Sequence, residues 1–270
     1  NSMRHSGTAK RGVFMIFLRS VAMAFTMFSC IPMPKLAWQE ENMRYMLCGM
    51  PFIGAVIGLL LWGWAWFCGF MSFGVFLQAA GFTILPVAVT GGIHLDGFCD
   101  TVDALASHAE PERKRQILKD PHTGAFAIIG VSCYFLLYFG FCTELVVNTE
   151  NLLLLGFIHV VSRSLSGFSG ICFPSSSPKG LLKTFKLSAN KKSAAAMLLI
   201  MFLLCCAAML CIGSLIGVIM LLAALLCVLY LFVMSRKQFG GMSGDLAGYF
   251  LQVCELFMLI VLVVMQKAVL

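Results

Sequence analysis

Seven apolar runs, each close to the length a bilayer demands, dominate this chain: 46–69, 70–90, 123–143, 151–172, 194–212, 214–234 and 246–266. A spanning helix uses about 20 apolar residues because the hydrocarbon core is about 30 Å thick. Inside that core each segment must satisfy its own backbone N–H and C=O groups, and runs of this length do so as helices. The chain is 60% hydrophobic and only 11% charged, where soluble domains carry roughly 25% charged residues. A water-soluble globular protein, a disordered chain, a collagen-like fibre and a small disulfide-stapled domain are excluded. The fold class is all-α: a polytopic integral membrane helix bundle of about seven transmembrane helices, forming a single membrane-embedded domain over 1–270.

The 194–234 run is too long for one crossing, and Gly213 and Gly217 offer its turn. An eighth apolar stretch, 13–31, is interrupted by Arg19 and closed by Pro32 and Pro34. It is read as an N-terminal interfacial or re-entrant helix behind a flexible tail at 1–12. The stretch lacks a small-residue cleavage site, so no cleaved signal peptide is expected. The twelve cysteines are scattered without a Cys-x-x-Cys pair. That is the usage of small packing residues rather than of a metal cluster or disulfide frame.

Lysine and arginine set the orientation of a membrane protein. With seven spans and the N-terminus inside, the segments 1–45, 91–122, 173–193 and 235–245 share one side and hold 17 of the 19 basic residues. Arg163 lies within a span and only Lys267 falls outside, while Glu144 and Glu150 sit on the opposite side. The expected location is the cytoplasmic cell membrane, crossed several times, with the loops 91–122, 173–193 and 235–245 facing the cytoplasm. Any active site those loops form faces it too. The lipid bilayer is the expected surroundings, no nucleic-acid partner is expected, and self-association stays open.

The stretch Gly-Gly-Ile-His-Leu-Asp-Gly-Phe-Cys-Asp-Thr-Val-Asp occupies 91–103. Asp96, Asp100 and Asp103 stand at i, i+4 and i+7, within a stripe about 60° wide on one helix face. Three carboxylates this close repel one another unless a cation sits among them. Hard oxygen ligands suit Mg²⁺ or Mn²⁺, particularly where phosphate completes the shell. A solvated acidic face is the plain alternative, and it fits poorly at a membrane boundary where ionisable groups are costly. His94 lies on the opposite side of that helix, equally open to a structural hydrogen bond and to a catalytic role. Lys119 and Asp120 precede Pro121, which disfavours helix at Asp120. A helix over 111–119 stops there, leaving Asp120 either to join the metal site or to end the helix.

A second constellation, Gly-Gly-Met-Ser-Gly-Asp-Leu-Ala-Gly, occupies 240–248 and contains Gly241, Gly244, Asp245 and Gly248. Asp245 opens the last span, either as a fourth metal ligand or as a helix N-cap. Gln252 and Glu255 continue along the same face. Glu255 lies about 15 Å beyond Asp245 at 1.5 Å per residue, at a depth where a lone acid is by default functional or paired. Arg163 has two readings: bidentate contact to a substrate phosphate, or an ion pair with Glu255. Five lysines without an acid at 179–192 attract either anionic lipid headgroups or an anionic substrate.

Taken together, these residues resemble the adenosylcobinamide-GDP ribazoletransferase family, also called cobalamin synthase, nearly end to end. The resemblance runs through Phe-Ser-Cys-Ile-Pro-Met-Pro at 28–34 and Gly-Gly-x-His-x-Asp-Gly-x-x-Asp-Thr-x-Asp at 91–103. It continues through 115–124 to the Gly-Gly-x-x-Gly-Asp-x-x-Gly unit and its Glu255. It implies a Mg²⁺-dependent membrane transferase. In that reaction α-ribazole, or its 5′-phosphate, displaces GMP from adenosylcobinamide-GDP and completes the lower nucleotide loop of a cobamide. The candidate catalytic residues are then Asp96, Asp100, Asp103, His94 and Asp120. The candidate metal ligands are Asp96, Asp100, Asp103 and Asp245, and the candidate substrate contacts are Arg163, Lys119, Gly241, Gly244, Gly248 and Glu255.

Two alternative enzymes share the Mg²⁺-diphosphate chemistry. A membrane prenyltransferase normally carries two Asp-x-x-x-Asp motifs, whereas the second region here offers only Asp245. A CDP-alcohol phosphotransferase carries an aspartate where this chain has Ile93, and an Ala-Arg pair that does not follow Asp96 and Gly97 here. A divalent-cation transporter would place acids at mid-membrane on several helices, whereas the acids here cluster at one edge.

Overall fold

The computed structural model describes residues 2–34, 36–176, 182, 187 and 189–269. Among these the chain is helical without a strand; Ser175 and Met242 form an isolated bridge. The helices are α1 Ser2–Phe28, α2 Glu40–Met43, a 3₁₀ turn Met46–Gly49, α3 Met50–Met71, α4 Val75–Thr90 and α5 Ile93–Ala106. There follow α6 Pro111–Ile117, α7 Ala125–Thr143, α8 Thr149–Cys172, α9 Lys191–Phe239 and α10 Gly244–Val269. The all-α polytopic bundle expected from the apolar runs is the fold.

Six stretches are long and apolar enough to cross a membrane: Met46–Met71, Ala125–Thr143, Thr149–Cys172, Lys191–Gly213, Leu215–Phe239 and Gly244–Ala268. The run expected over 70–90 begins later, at Val75, because Ser72 turns left-handed at the end of α3. Helices α4 and α5 pass the same test only together, and they meet at 95°. Gly91 and Gly92 make that corner at φ 63° and 77°, a region where side chains are strained. A helix perpendicular to α4 adds nothing to its depth, so α5 lies along one end of the bundle.

The 49 residues of α9 are helical throughout, yet they are not one rod. A Cβ on Gly217 would collide with the carbonyl oxygen of Met209, eight residues earlier. In a straight helix those positions stand about 12 Å apart. The run therefore folds back on itself at the glycines expected to turn it, giving two crossings. At the N-terminus, α1 is helical from Ser2, so the residues expected as a flexible tail form its first turns; no proline interrupts them. Only Met15–Phe28 is apolar, too short to span. It packs Met23 and Ala24 against Met43 and Met46.

Helix α8 is the axis of the bundle: 72% of its span is buried, against 17% for the first half of α9. The α3–α8 contact is made backbone to backbone, since a Cβ on Gly58 would sit 3.0 Å from the Cα of Gly156. Small residues are how membrane helices approach this closely. Outward-facing Leu59, Trp66, Phe70, Phe76 and Leu136 are each at least 65% exposed, an apolar belt suited to lipid rather than water.

The polar loops gather at one end. Arg115 Nη1 donates to the Phe239 carbonyl at 3.1 Å. The Met242 N–H donates to the Pro174 carbonyl at 2.7 Å, and the Ser176 N–H to Met242 at 3.0 Å. At the opposite end Lys267 pairs with Glu144 at 2.8 Å, and Gln266 accepts from Asn151 at 3.0 Å. Lys179, Lys183 and Lys186 of the basic loop lie outside the described residues.

Candidate active site

Two glycines bring the two motifs together. A Cβ on Gly97 would lie 2.8 Å from the Asp245 carbonyl oxygen, and one on Gly248 would lie 2.7 Å from that of His94. Helices α5 and α10 thus cross in backbone contact, each presenting a glycine to the other's motif. Residues nearly 150 positions apart meet there because neither helix carries a side chain at the crossing. Gly248 is a packing residue in this arrangement, directed at α5.

Gly241 has a related constraint. Its φ of 147° lies where other residues are strained, and a Cβ would meet the 174–176 backbone at 2.6–2.7 Å. It holds the strap between the α9–α10 turn and the segment after α8. Gly244 is open, with no atom within 4 Å of its Cβ direction. The N-cap of α10 is Ser243, whose Oγ accepts from the Leu246 N–H at 3.2 Å. Asp245 is therefore not the cap; its Oδ2 accepts from the Ser243 Oγ at 3.4 Å, and no basic side chain among the described residues pairs with it.

Among the acids, Asp100 is distinctive. Burial, then the charges of Asp96, Asp245 and Asp103, push it up to about 6 from 3.8. No basic side chain pairs with Asp96, Asp100 or Asp245 among the described residues. Asp103 differs: its Oδ2 accepts from the Gly124 N–H at 2.6 Å and its Oδ1 from the Ala127 N–H at 2.8 Å. It caps α7 from a neighbouring helix, satisfying donors that a helix start leaves free. Asp120 accepts from the His122 N–H at 3.0 Å and lies 2.7 Å from its Nδ1, both side chains being exposed. It closes the turn after α6, which ends at Ile117 rather than at 119. Lys119 is exposed on the same end.

No three His, Cys, Asp or Glu side chains among the described residues are already gathered as a metal cluster. The donor chemistry nevertheless fits a divalent cation. Three carboxylates without a basic partner among the described residues act on one another at a single corner. Asp103, whose charge also reaches Asp100, has both oxygens engaged by the start of α7.

Beside this corner lies a cavity of about 260 Å³ between α1, the 3₁₀ turn, α5, α8 and α10. Asp96, Asp245, His94 and Ser166 are its polar lining; Met27, Phe28, Leu47, Met50, Ile93 and Ala247 are apolar, with Gly170, Leu182 and Gly244 completing the wall. The His94 ring stacks on Phe28 at 6.1 Å. Burial, then the Arg163 charge, lowers its pKa to about 3, so it is neutral. Its Nε2 and the Ser166 Oγ are buried without a hydrogen-bond partner.

Beneath the cavity, Arg163 Nη1 pairs with Glu255 Oε1 at 2.6 Å. Ser162 Oγ donates to the same oxygen at 2.9 Å, and His159 Nδ1 stands 3.1 Å from Oε2. Of the two readings of Arg163, the structure holds the ion pair. Sequence reasoning passed over His159, Ser162 and Ser166. Their signal was their spacing with Arg163 at i, i+3, i+4 and i+7, one polar stripe along an apolar span.

The family model for cobalamin-5-phosphate synthase matches residues 20–263. A protein of Lachnoclostridium phytofermentans named adenosylcobinamide-GDP ribazoletransferase is 41% identical over 90% of this chain and 92% of its own length. One of Clostridium botulinum with the same name is 32% identical over 88% of this chain and 94% of its own. No solved structure matches.

Proposed function

The chain belongs to the cobalamin-5-phosphate synthase family, and from that membership we propose that it joins α-ribazole, or its 5′-phosphate, to adenosylcobinamide-GDP with release of GMP. The observation that carries the site assignment is the glycine crossing that sets Asp96 and Asp245 at the mouth of one cavity. A hydroxyl of the ribazole attacks the phosphorus that stays with cobinamide. The new P–O bond forms as the bond to the bridging oxygen of GMP breaks. The hydroxyl proton passes to a carboxylate of the corner, and GMP leaves with the electron pair. Mg²⁺ held by Asp96, Asp100 and Asp245 would neutralise diphosphate charge and assist that departure.

The corner is open to solvent at Asp96 and half-buried at Asp100 and Asp245, so the charged diphosphate reaches it from the polar end while the apolar cavity wall receives the nucleoside. The Arg163–Glu255 pair orients α8 against α10 beneath the corner. The excess of lysine and arginine at the site's end supports a cytoplasmic-membrane protein whose active site faces the cytoplasm. Ser107→Cys and Ser176→Cys, in a background lacking native cysteines, should resist a membrane-impermeant thiol reagent in intact cells; labelling of either would reverse the orientation. For the reaction itself, purified protein in lipid with adenosylcobinamide-GDP, α-ribazole and Mg²⁺ should release GMP. Absence of GMP, or release of diphosphate from an isoprenoid diphosphate instead, would overturn the assignment.

A further inference from the structure

We propose that the cavity beside Asp96 and Asp245 seats the ribazole nucleoside, base inward, while the corrinoid substrate stays outside it on the polar end of the bundle. The inference rests on the reaction assigned above and says which substrate occupies which space.

Size decides first. About 260 Å³ is at the small end for a ligand site and suits one flat bicyclic base with its sugar. A corrin macrocycle carrying adenosyl and GDP groups exceeds it several-fold. Chemistry decides next. The described lining is mostly apolar, and its two carboxylates, Asp96 and Asp245, are no partners for a diphosphate by themselves. Met27, Phe28, Leu47 and Met50 instead present apolar surface, two of them thioethers that adapt to a ring's outline.

The unpartnered atoms make the third argument. His94 Nε2 and Ser166 Oγ are buried without hydrogen bonds, in residues 5% and 2% exposed. Leaving such groups unsatisfied is costly, and native structures rarely do so without a reason. Both residues line the cavity. A benzimidazole-type nucleoside carries matching groups, an unsubstituted ring nitrogen and ribose hydroxyls. With the base inward, its sugar reaches the carboxylate corner, where the attacking hydroxyl is needed. The apolar end of α1 acquires a purpose here: Met27 and Phe28 close the far wall.

Steady-state kinetics with both substrates tests this. Ser166→Ala removes a hydroxyl that has no partner, so the fold loses nothing by it. The variant should raise KM for α-ribazole about three- to tenfold, the worth of one neutral hydrogen bond, with KM for adenosylcobinamide-GDP unchanged. Ala247→Leu, which fills the cavity, should raise the same KM at least as much, and free dimethylbenzimidazole should compete with α-ribazole but not with the corrinoid. If wild type releases GMP while both variants leave the α-ribazole KM unchanged, or shift the corrinoid KM instead, the seating is wrong. If wild type releases no GMP, the reaction assignment fails rather than the seating.

Discussion

At the crossing of α5 and α10, Asp96, Asp100 and Asp245 act on one another with no basic partner among the described residues. Three turns deeper on the same α10, Glu255 is wrapped by Arg163, Ser162 and His159. Both places hold acids in a largely apolar protein, Asp96 exposed and Asp100 and Asp245 half-buried at the shallow one, Glu255 fully buried at the deep one. In the deep one each Glu255 oxygen has a neighbour, so the charge is balanced within the fold. In the shallow one no such balance is present among the described residues, and the proposed divalent cation would supply it. Unpaired charge beside a cavity, rather than buried charge as such, distinguishes chemistry from architecture.

That contrast can be broken most sharply at its shallow pole. Asp96→Asn or Asp100→Asn should cut GMP release by at least about a hundredfold while the protein elutes and melts as wild type. At the deep pole the outcome inverts. Glu255→Gln leaves the Arg163 charge buried and unpaired, a loss of about 3–5 kcal/mol, visible as a lowered thermal midpoint. A Glu255→Gln protein as stable as wild type would erase the distinction.

Asp245→Asn tests the second arm of the corner. Loss of even an outer partner of a metal costs about 10- to 100-fold in affinity, so the Mg²⁺ needed for half-maximal rate should rise at least tenfold. A normal Mg²⁺ titration would confine the site to α5. Asp103→Asn sharpens the boundary further. Asparagine retains one of two acceptors for the start of α7, costing about 1 kcal/mol of stability and less than tenfold in rate. A loss of rate equal to that of Asp96→Asn would return Asp103 to the metal. The smallest effect belongs to the far end, where Lys267→Gln removes the exposed pair with Glu144 and should change neither melting nor turnover.

How much of this was legible depends on how local the signal is. Spans are written in uninterrupted apolar runs, and the hairpin of α9 in Gly213 and Gly217. The meeting of α5 with α10 was foreshadowed by the parallel Gly-Gly and Asp spacings. The role of Asp103 was not legible, because the groups that claim it are the backbone N–H donors of Gly124 and Ala127, which leave no mark on residue type. The choice of Arg163 between phosphate and Glu255 depends on helix depth and rotation, which a one-dimensional pattern leaves open. Gly58 and Gly156 likewise look like any glycines in a span until α3 and α8 are brought together.

The corner at Gly91 and Gly92 also acts on the membrane. With α5 turned aside, α4 offers 16 residues to the crossing, about 24 Å at 1.5 Å per residue. The hydrocarbon core is about 30 Å thick, and a short span is accommodated by thinning the bilayer beside it. Thinning of that kind would fall where α4 ends and the carboxylates begin. A bilayer thinned there would bring headgroups and water toward the exposed Asp96, and would lower the apolar barrier that a bulky amphiphile with polar side groups meets at that edge.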